Sequence, residues 1–375
     1  MRHICYITGT RADFGLMRSC LKQIDESKQL KLSLAVTGMH LHSNFGCTVK
    51  EVENTGYDCY RVNSDSEDGS RLGMSSALSS QLMGFSELFS RLKPDLILVL
   101  GDRGEMLAAS IAALHQNLPV AHIHGGELSG TIDESIRHAI SKLSHFHFTS
   151  TETSRQRLVK MGELEDHVFV SGAPGLDDIL NAPLVSQESL FDYIKIDSLL
   201  SIITVLFHPV VQDAEEAGKQ VKTVLNSLPD STRIVILMPN SDAGGHLIRA
   251  EIEKFSEGKT YITLLTHLPR EYFLTLLDVS KVLVGNSSSG IIEAASFGTM
   301  VVNIGERQAK RDRNLNTLDV GVNKVAIEKA IAHSLEAKET KFENVYGCGT
   351  AGNNIVNLLE SVVIDESTTR KCNAY

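Results

Sequence analysis

The stretch LILVLGDRGEMLAASIAALHQNLPVAHIH, residues 96–124, decides how the chain folds. It opens on five apolar residues with no alternation. A segment long enough for a crossover helix follows at 104–115, then a second apolar run at 119–124. Unbroken apolarity is the pattern of strands covered on both faces, which is the pattern of parallel sheets. The same rhythm recurs at 3–8, 32–37, 146–150 and 168–171. It starts again at 202–207, 233–238, 260–264, 281–285 and 300–304. The fold class is therefore α/β: two Rossmann-like doubly wound domains, with the site in the cleft between them.

The chain has 375 residues, enough for two domains at roughly 100–150 residues each. The Pro- and Gly-bearing segment 171–187 lies between the two sets of strands. The expected division is 1–175 for the N-terminal domain and 176–364 for the C-terminal one, whose last helix packs back on the first. Residues 365–375 are expected to be a frayed tail, and the polar stretch 63–76 is a loop or lid. A net charge of −10 argues against general nucleic-acid binding. No run approaches the ~20 apolar residues of a membrane span. The first residues do not read as a signal peptide, so a cytoplasmic location is expected. The six cysteines include no C-x-x-C, and neither a metal nor a cofactor is expected.

Chemistry should sit on the loops after the strands. GTRADFG (9–15) puts Arg11 at a strand end, before a helix from about Phe14. Arg11 can meet a phosphate or simply pair with Asp13. GDRGE (101–105) puts Asp102 and Arg103 at the end of a central strand. Either they pair with each other, Asp102 caps a helix, or they serve a site. In HIHGGELSGTIDESIRH (122–138), Thr131 and Glu134 have the spacing of a capping box. Asp133 suits the helix dipole and is placed to pair with Arg137. His122 reads as a satisfied core histidine. Glu127, released by a double glycine, has no structural duty and is the better functional candidate.

The second half offers His208, then Asn240 and Asp242. GNSSSGIIEAASFG (285–298) leads from a strand through serines into a helix from about Ile291, as an anion site would. Glu293 inside that helix suits a ribose diol. Arg307, Lys310 and Arg311 follow the last strand as a basic cluster, or as a solvated face.

Together GTRADFG, GDRGE, HIHGGELSGTIDESIRHAISKLSH, FHP, PNSDAGG and GNSSSGIIEAASFGTMVVNIGERQ resemble the hydrolysing UDP-N-acetylglucosamine 2-epimerases of sialic-acid synthesis. The resemblance implies a glycosyltransferase-B-like fold and conversion of UDP-N-acetylglucosamine and water to N-acetylmannosamine and UDP. Asp102, Glu127 and Asp133 fall on the family's catalytic carboxylates. Arg11, Arg103, His208, Asn240, Ser287, Ser288, Glu293 and Arg307 fall on its UDP-contacting positions, with Asp242 and Gly290 in the same motifs. GDR and HIHGG depart from the GDT and HVEAG of the non-hydrolysing branch.

The implied partners are a UDP-sugar and UDP, with no nucleic acid and no membrane, in a homodimer or homotetramer. The implied chemistry is loss of UDP through 2-acetamidoglucal, then hydration, shared by the three carboxylates. The same reaction on UDP-2,4-diacetamido-2,4,6-trideoxyglucose is the first alternative. A non-hydrolysing epimerase, a glycosyltransferase and a silent nucleotide-sugar-binding regulator are the others.

Overall fold

The computed structural model describes all residues except 43–46, 65–69, 130–131, 182–183, 197–200, 241, 339–340 and 375. The first sheet holds β1 (Arg2–Thr8), β2 (Leu30–Val36), β3 (Asp58–Arg61), β4 (Leu96–Leu100), β5 (Val120–Ile123), β6 (Phe146–Thr149) and β7 (Val168–Val170). The second holds β8 (Ile202–Leu206), β9 (Arg233–Leu237), β10 (Ile262–Leu265), β11 (Ser280–Gly285), β12 (Met300–Ile304) and β13 (Thr317–Val320). Their orders are 3-2-1-4-5-6-7 and 10-9-8-11-12-13, and every pair is parallel.

The eleven apolar runs are all strands. The two strands that the sequence did not announce, β3 and β13, are the outermost of their sheets on one side. Edge strands are covered less, and DCYR and TLDV carry no apolar run.

Order reverses between β1 and β4 in one sheet and between β8 and β11 in the other. Ligands in open α/β sheets bind at such switch points, outside the carboxyl ends of the strands. At the second, the His208 N–H donates to Asn286 Oδ1 (2.7 Å) and Asn286 Nδ2 donates back to the His208 carbonyl (2.9 Å).

Helix Ala351–Ser361 returns to the N-terminal lobe, where Ile355, Val356 and Leu359 join the core formed by β1, β2 and helix Arg11–Glu26. The last residues also differ from a frayed end. Asp365 caps helix Glu366–Thr369, Lys371 reaches backbone carbonyls of 141–144, and the Ala374 N–H donates to Gly162 O (2.9 Å). Of the expected loop 63–76, residues 65–69 lie outside the described residues. Ser70 then caps a helix that already runs from Arg71 to Leu92. No helix among the described residues is long and apolar enough to cross a membrane.

Candidate active site

The chain leaves β5 abruptly. His124 (φ 64°) and Gly126 (φ 77°) both adopt left-handed backbone. A Cβ on Gly126 would stand 2.4 Å from Ser154 O. Only glycine fits there. The turn drops Glu127 into the interior, 3% exposed. Its Oε1 accepts from His124 Nδ1 (2.6 Å) and from Ser150 Oγ, and its Oε2 accepts from Arg311 Nη1 of the other lobe. Burial opposes the charge, but Arg311 and His124 outweigh it and hold the carboxyl well below its usual range.

Asp102 leaves β4 beside it. Burial again opposes ionisation, and Arg137, Arg311 and Arg307 together hold its carboxyl below the ordinary value. Arg137, fully buried, is ion-paired to Asp102 and donates to the Glu127 carbonyl (2.9 Å). Arg311 Nη2 lies 4.0 Å from the same Asp102 oxygen.

Asp133 opens helix Ile132–Leu143, with Arg307 Nη2 3.7 Å away. Burial and the nearby Asp102 charge raise its carboxyl above the ordinary value. Two facing carboxyls are thus driven apart: Asp102 toward the anion, Asp133 toward the neutral acid. Neighbouring carboxyls shifted in opposite directions can serve acid/base chemistry.

Several expected pairings are replaced. Arg137 turns inward to Asp102 rather than along its helix to Asp133, because the buried face centres on Arg137, Ile140 and Ser141. Arg103 pairs with Glu105 (2.7 Å) rather than Asp102, and approaches Asp242 across the cleft (3.6 Å). Thr10 caps the first helix together with Asp13, so that helix starts at Arg11, not Phe14. Arg11 is freed to pair with Glu51 (2.7 Å) and to touch His267 of the other lobe. Glu134 does serve the helix start, accepting from the Ser129 N–H (2.9 Å), whereas Thr131 lies outside the described residues.

His122 is a satisfied core histidine, between Ser141 Oγ (3.1 Å) and the Gly101 carbonyl (2.7 Å). His208 is pushed down to about 3 by burial and by Arg307 and Arg103. Its Nδ1 accepts from the Asn240 N–H (3.3 Å), so its proton sits on Nε2. Asn240 Nδ2 donates to Asp242 Oδ2 (2.6 Å). Arg307 is fixed by the Asn286 carbonyl (3.0 Å).

The serine loop differs in detail from expectation. Its helix starts earlier, at Ser288, and ends at Ile292, with Ser287 as cap. Five residues give little dipole, so the positive charge here comes mainly from Arg307 and Arg311. Gly290 serves packing: a Cβ there would meet Val301 at 3.0 Å and Leu283 at 3.1 Å. Glu293 is 1% exposed. Its Oε1 pairs with Arg270, and its Oε2 has no hydrogen-bond partner among the described residues.

The sequence reading missed Arg137, Ser150, His267, Arg270 and Glu51 as members of the cleft, and left Arg311 undecided.

Two doubly wound lobes facing each other across arginines and carboxylates define a glycosyltransferase-B-like enzyme architecture. Residues 22–360 match the family described as UDP-N-acetylglucosamine 2-epimerase, and the chain belongs to that family. It is 44% identical, over the whole of both chains, to the UDP-N,N'-diacetylbacillosamine 2-epimerase (hydrolyzing) of Legionella pneumophila. It is 39% identical to a UDP-N-acetylglucosamine 2-epimerase of Neisseria meningitidis, over 83% of this chain and 81% of that one. In fold it resembles the crystal structure of UDP-GlcNAc 2-epimerase from Neisseria meningitidis bound to UDP-GlcNAc. The TM-score is 0.80, at 20% identity, over 96% of this chain and 99% of that one.

Proposed function

We propose that this protein is a hydrolysing 2-epimerase of a UDP-linked 2-acetamido sugar. The opposed poise of Asp102 and Asp133 in one cleft carries the reading. Inverting C2 requires removing its proton on one face and returning a proton on the other, hence a base and an acid. Asp102, kept ionised by Arg137, takes the C2 proton. The C1–oxygen bond breaks with it, UDP departs, and the 2-acetamido glycal of that sugar remains. Asp133 then protonates C2 from the opposite face while water adds at C1. The proton that Asp102 took passes through solvent to Asp133, which restores both carboxyls, and the proton left over from the added water is released with UDP.

The leaving diphosphate is met by Arg307, Arg311, Arg11 and the His208 Nε2–H, where the negative charge develops. Arg103 and Asn240, with Asp242 oriented by Asn240, close that side, and Ser287 and Ser288 offer hydroxyls and the N–H groups of a helix start. The unpartnered Glu293 Oε2 takes a ribose hydroxyl. Once Arg311 turns to the diphosphate, Glu127 is free to orient the attacking water.

The full-length match favours the 2,4-diacetamido-2,4,6-trideoxy sugar over N-acetylglucosamine as the substrate, and the second named relative keeps N-acetylglucosamine as the other reading. Incubating the purified protein with each UDP-sugar and measuring free UDP decides between them. At least tenfold higher kcat/KM on the diacetamido sugar is expected. A preference for UDP-N-acetylglucosamine reverses the substrate assignment, and no UDP release from either removes the hydrolytic reading.

A further inference from the structure

The C-terminal residues end on the helix that carries Asp133 and Arg137. The last carbonyls of a helix lack partners within it and attract cations. Here Lys371 Nζ gathers the carbonyls of Ser141 (3.2 Å), Lys142 (2.9 Å) and Ser144 (2.5 Å). Its charge is matched by Glu163 (2.5 Å), 1% exposed, which also takes Lys142 (2.7 Å) and His147 (3.0 Å). Asn373 accepts from Lys142 Nζ (2.6 Å) and fixes the segment that presents Lys371.

From Ser141 the network continues inward. The hydroxyl of Ser141 lies against the Arg137 carbonyl (3.0 Å) and His122 Nδ1 (3.1 Å). His122 Nε2 donates to the carbonyl of Gly101, the residue before Asp102 (2.7 Å). A Cβ on Gly125 would stand 3.0 Å from both His122 Nδ1 and Ser141 Oγ, so the double glycine of the β5 turn is fitted to this network as well. Lys371 is thus joined to both halves of the Arg137–Asp102 ion pair, one through the helix and one through His122.

We propose that Lys371 is a positioning residue for turnover: it fixes the end of helix Ile132–Leu143 and thereby sets Arg137 on Asp102. This rests on the reading that the Asp102–Arg137 pair works in catalysis.

The test compares the wild type, Lys371→Met and Lys371→Arg, all well below their melting temperatures, with UDP-N,N'-diacetylbacillosamine as substrate. Lys371→Met is expected to lower kcat about tenfold with KM within twofold. The acid limb of its kcat–pH profile moves upward, because an Asp102 less well held by Arg137 ionises at higher pH. Amide hydrogen exchange of peptide 132–143 rises about tenfold, a readout independent of any substrate. Lys371→Arg restores most of both. An unchanged kcat and pH profile in Lys371→Met overturns the proposal, whether or not exchange or melting temperature changes. Failure of the wild type to turn over any UDP-sugar counts against the catalytic reading instead, and unchanged exchange in that case overturns the positioning role too.

Discussion

Arg311 of the C-terminal lobe is ion-paired to Glu127 of the N-terminal lobe, and both side chains are buried, at 8% and 3% exposure. Breaking such a pair strands a charge in the interior. Arg311→Met should therefore destabilise the protein by about 3–5 kcal/mol, read from urea unfolding, and lower kcat more than 100-fold. Combining it with Glu127→Gln should cost less than the sum of the single changes. Additive losses in that cycle would show the pair to be uncoupled.

Asp102→Asn keeps the size of the side chain and removes the charge. It should lower kcat by about a thousandfold or more, in the range of general acid/base and electrostatic contributions. UDP affinity by calorimetry should stay within a few fold. Near wild-type turnover excludes Asp102 as the base.

The two perturbed carboxyls set a pH profile with a definite sign. Asp102 must be ionised and its carboxyl is lowered, so activity is already present below the usual aspartate range as pH rises. Asp133 must be protonated and its carboxyl is raised, so activity falls only above that range. The kcat profile should be bell-shaped, and Asp133→Asn should lose the falling limb along with most of the rate. A falling limb that survives in Asp133→Asn assigns that proton to another group.

Glu293 tests the nucleotide side. If its free Oε2 takes a ribose hydroxyl, Glu293→Ala should weaken UDP binding by about 1.5–3 kcal/mol, the range for a hydrogen bond to a charged group. Equal affinities in wild type and variant would mean that the oxygen serves only Arg270.

The fold was legible because strands buried on both faces must be continuously apolar, as Leu96–Leu100 and Ile202–Leu206 are. β3 and β13 were not, since an edge needs no such run. Glu127 was legible from its double glycine, because only a sharp turn requires that sequence. Arg137 and Arg311 were not, because their partners lie 35 and 184 residues away. Spacing carries no trace of a contact that only the folded sheets create. Lys371 was hidden in the same way: a polar, charged C-terminus reads as solvated until the carbonyls at a helix end and the buried Glu163 are placed beside it.

The central claim is that C2 is deprotonated and reprotonated while UDP is lost to water. Proton NMR of the purified protein with UDP-N,N'-diacetylbacillosamine, and separately with UDP-N-acetylglucosamine, in heavy water follows both events at once. The expected product is a free sugar, inverted at C2 and carrying deuterium there, formed in step with UDP. A sugar still linked to UDP, or a released sugar that keeps its C2 hydrogen, contradicts the account.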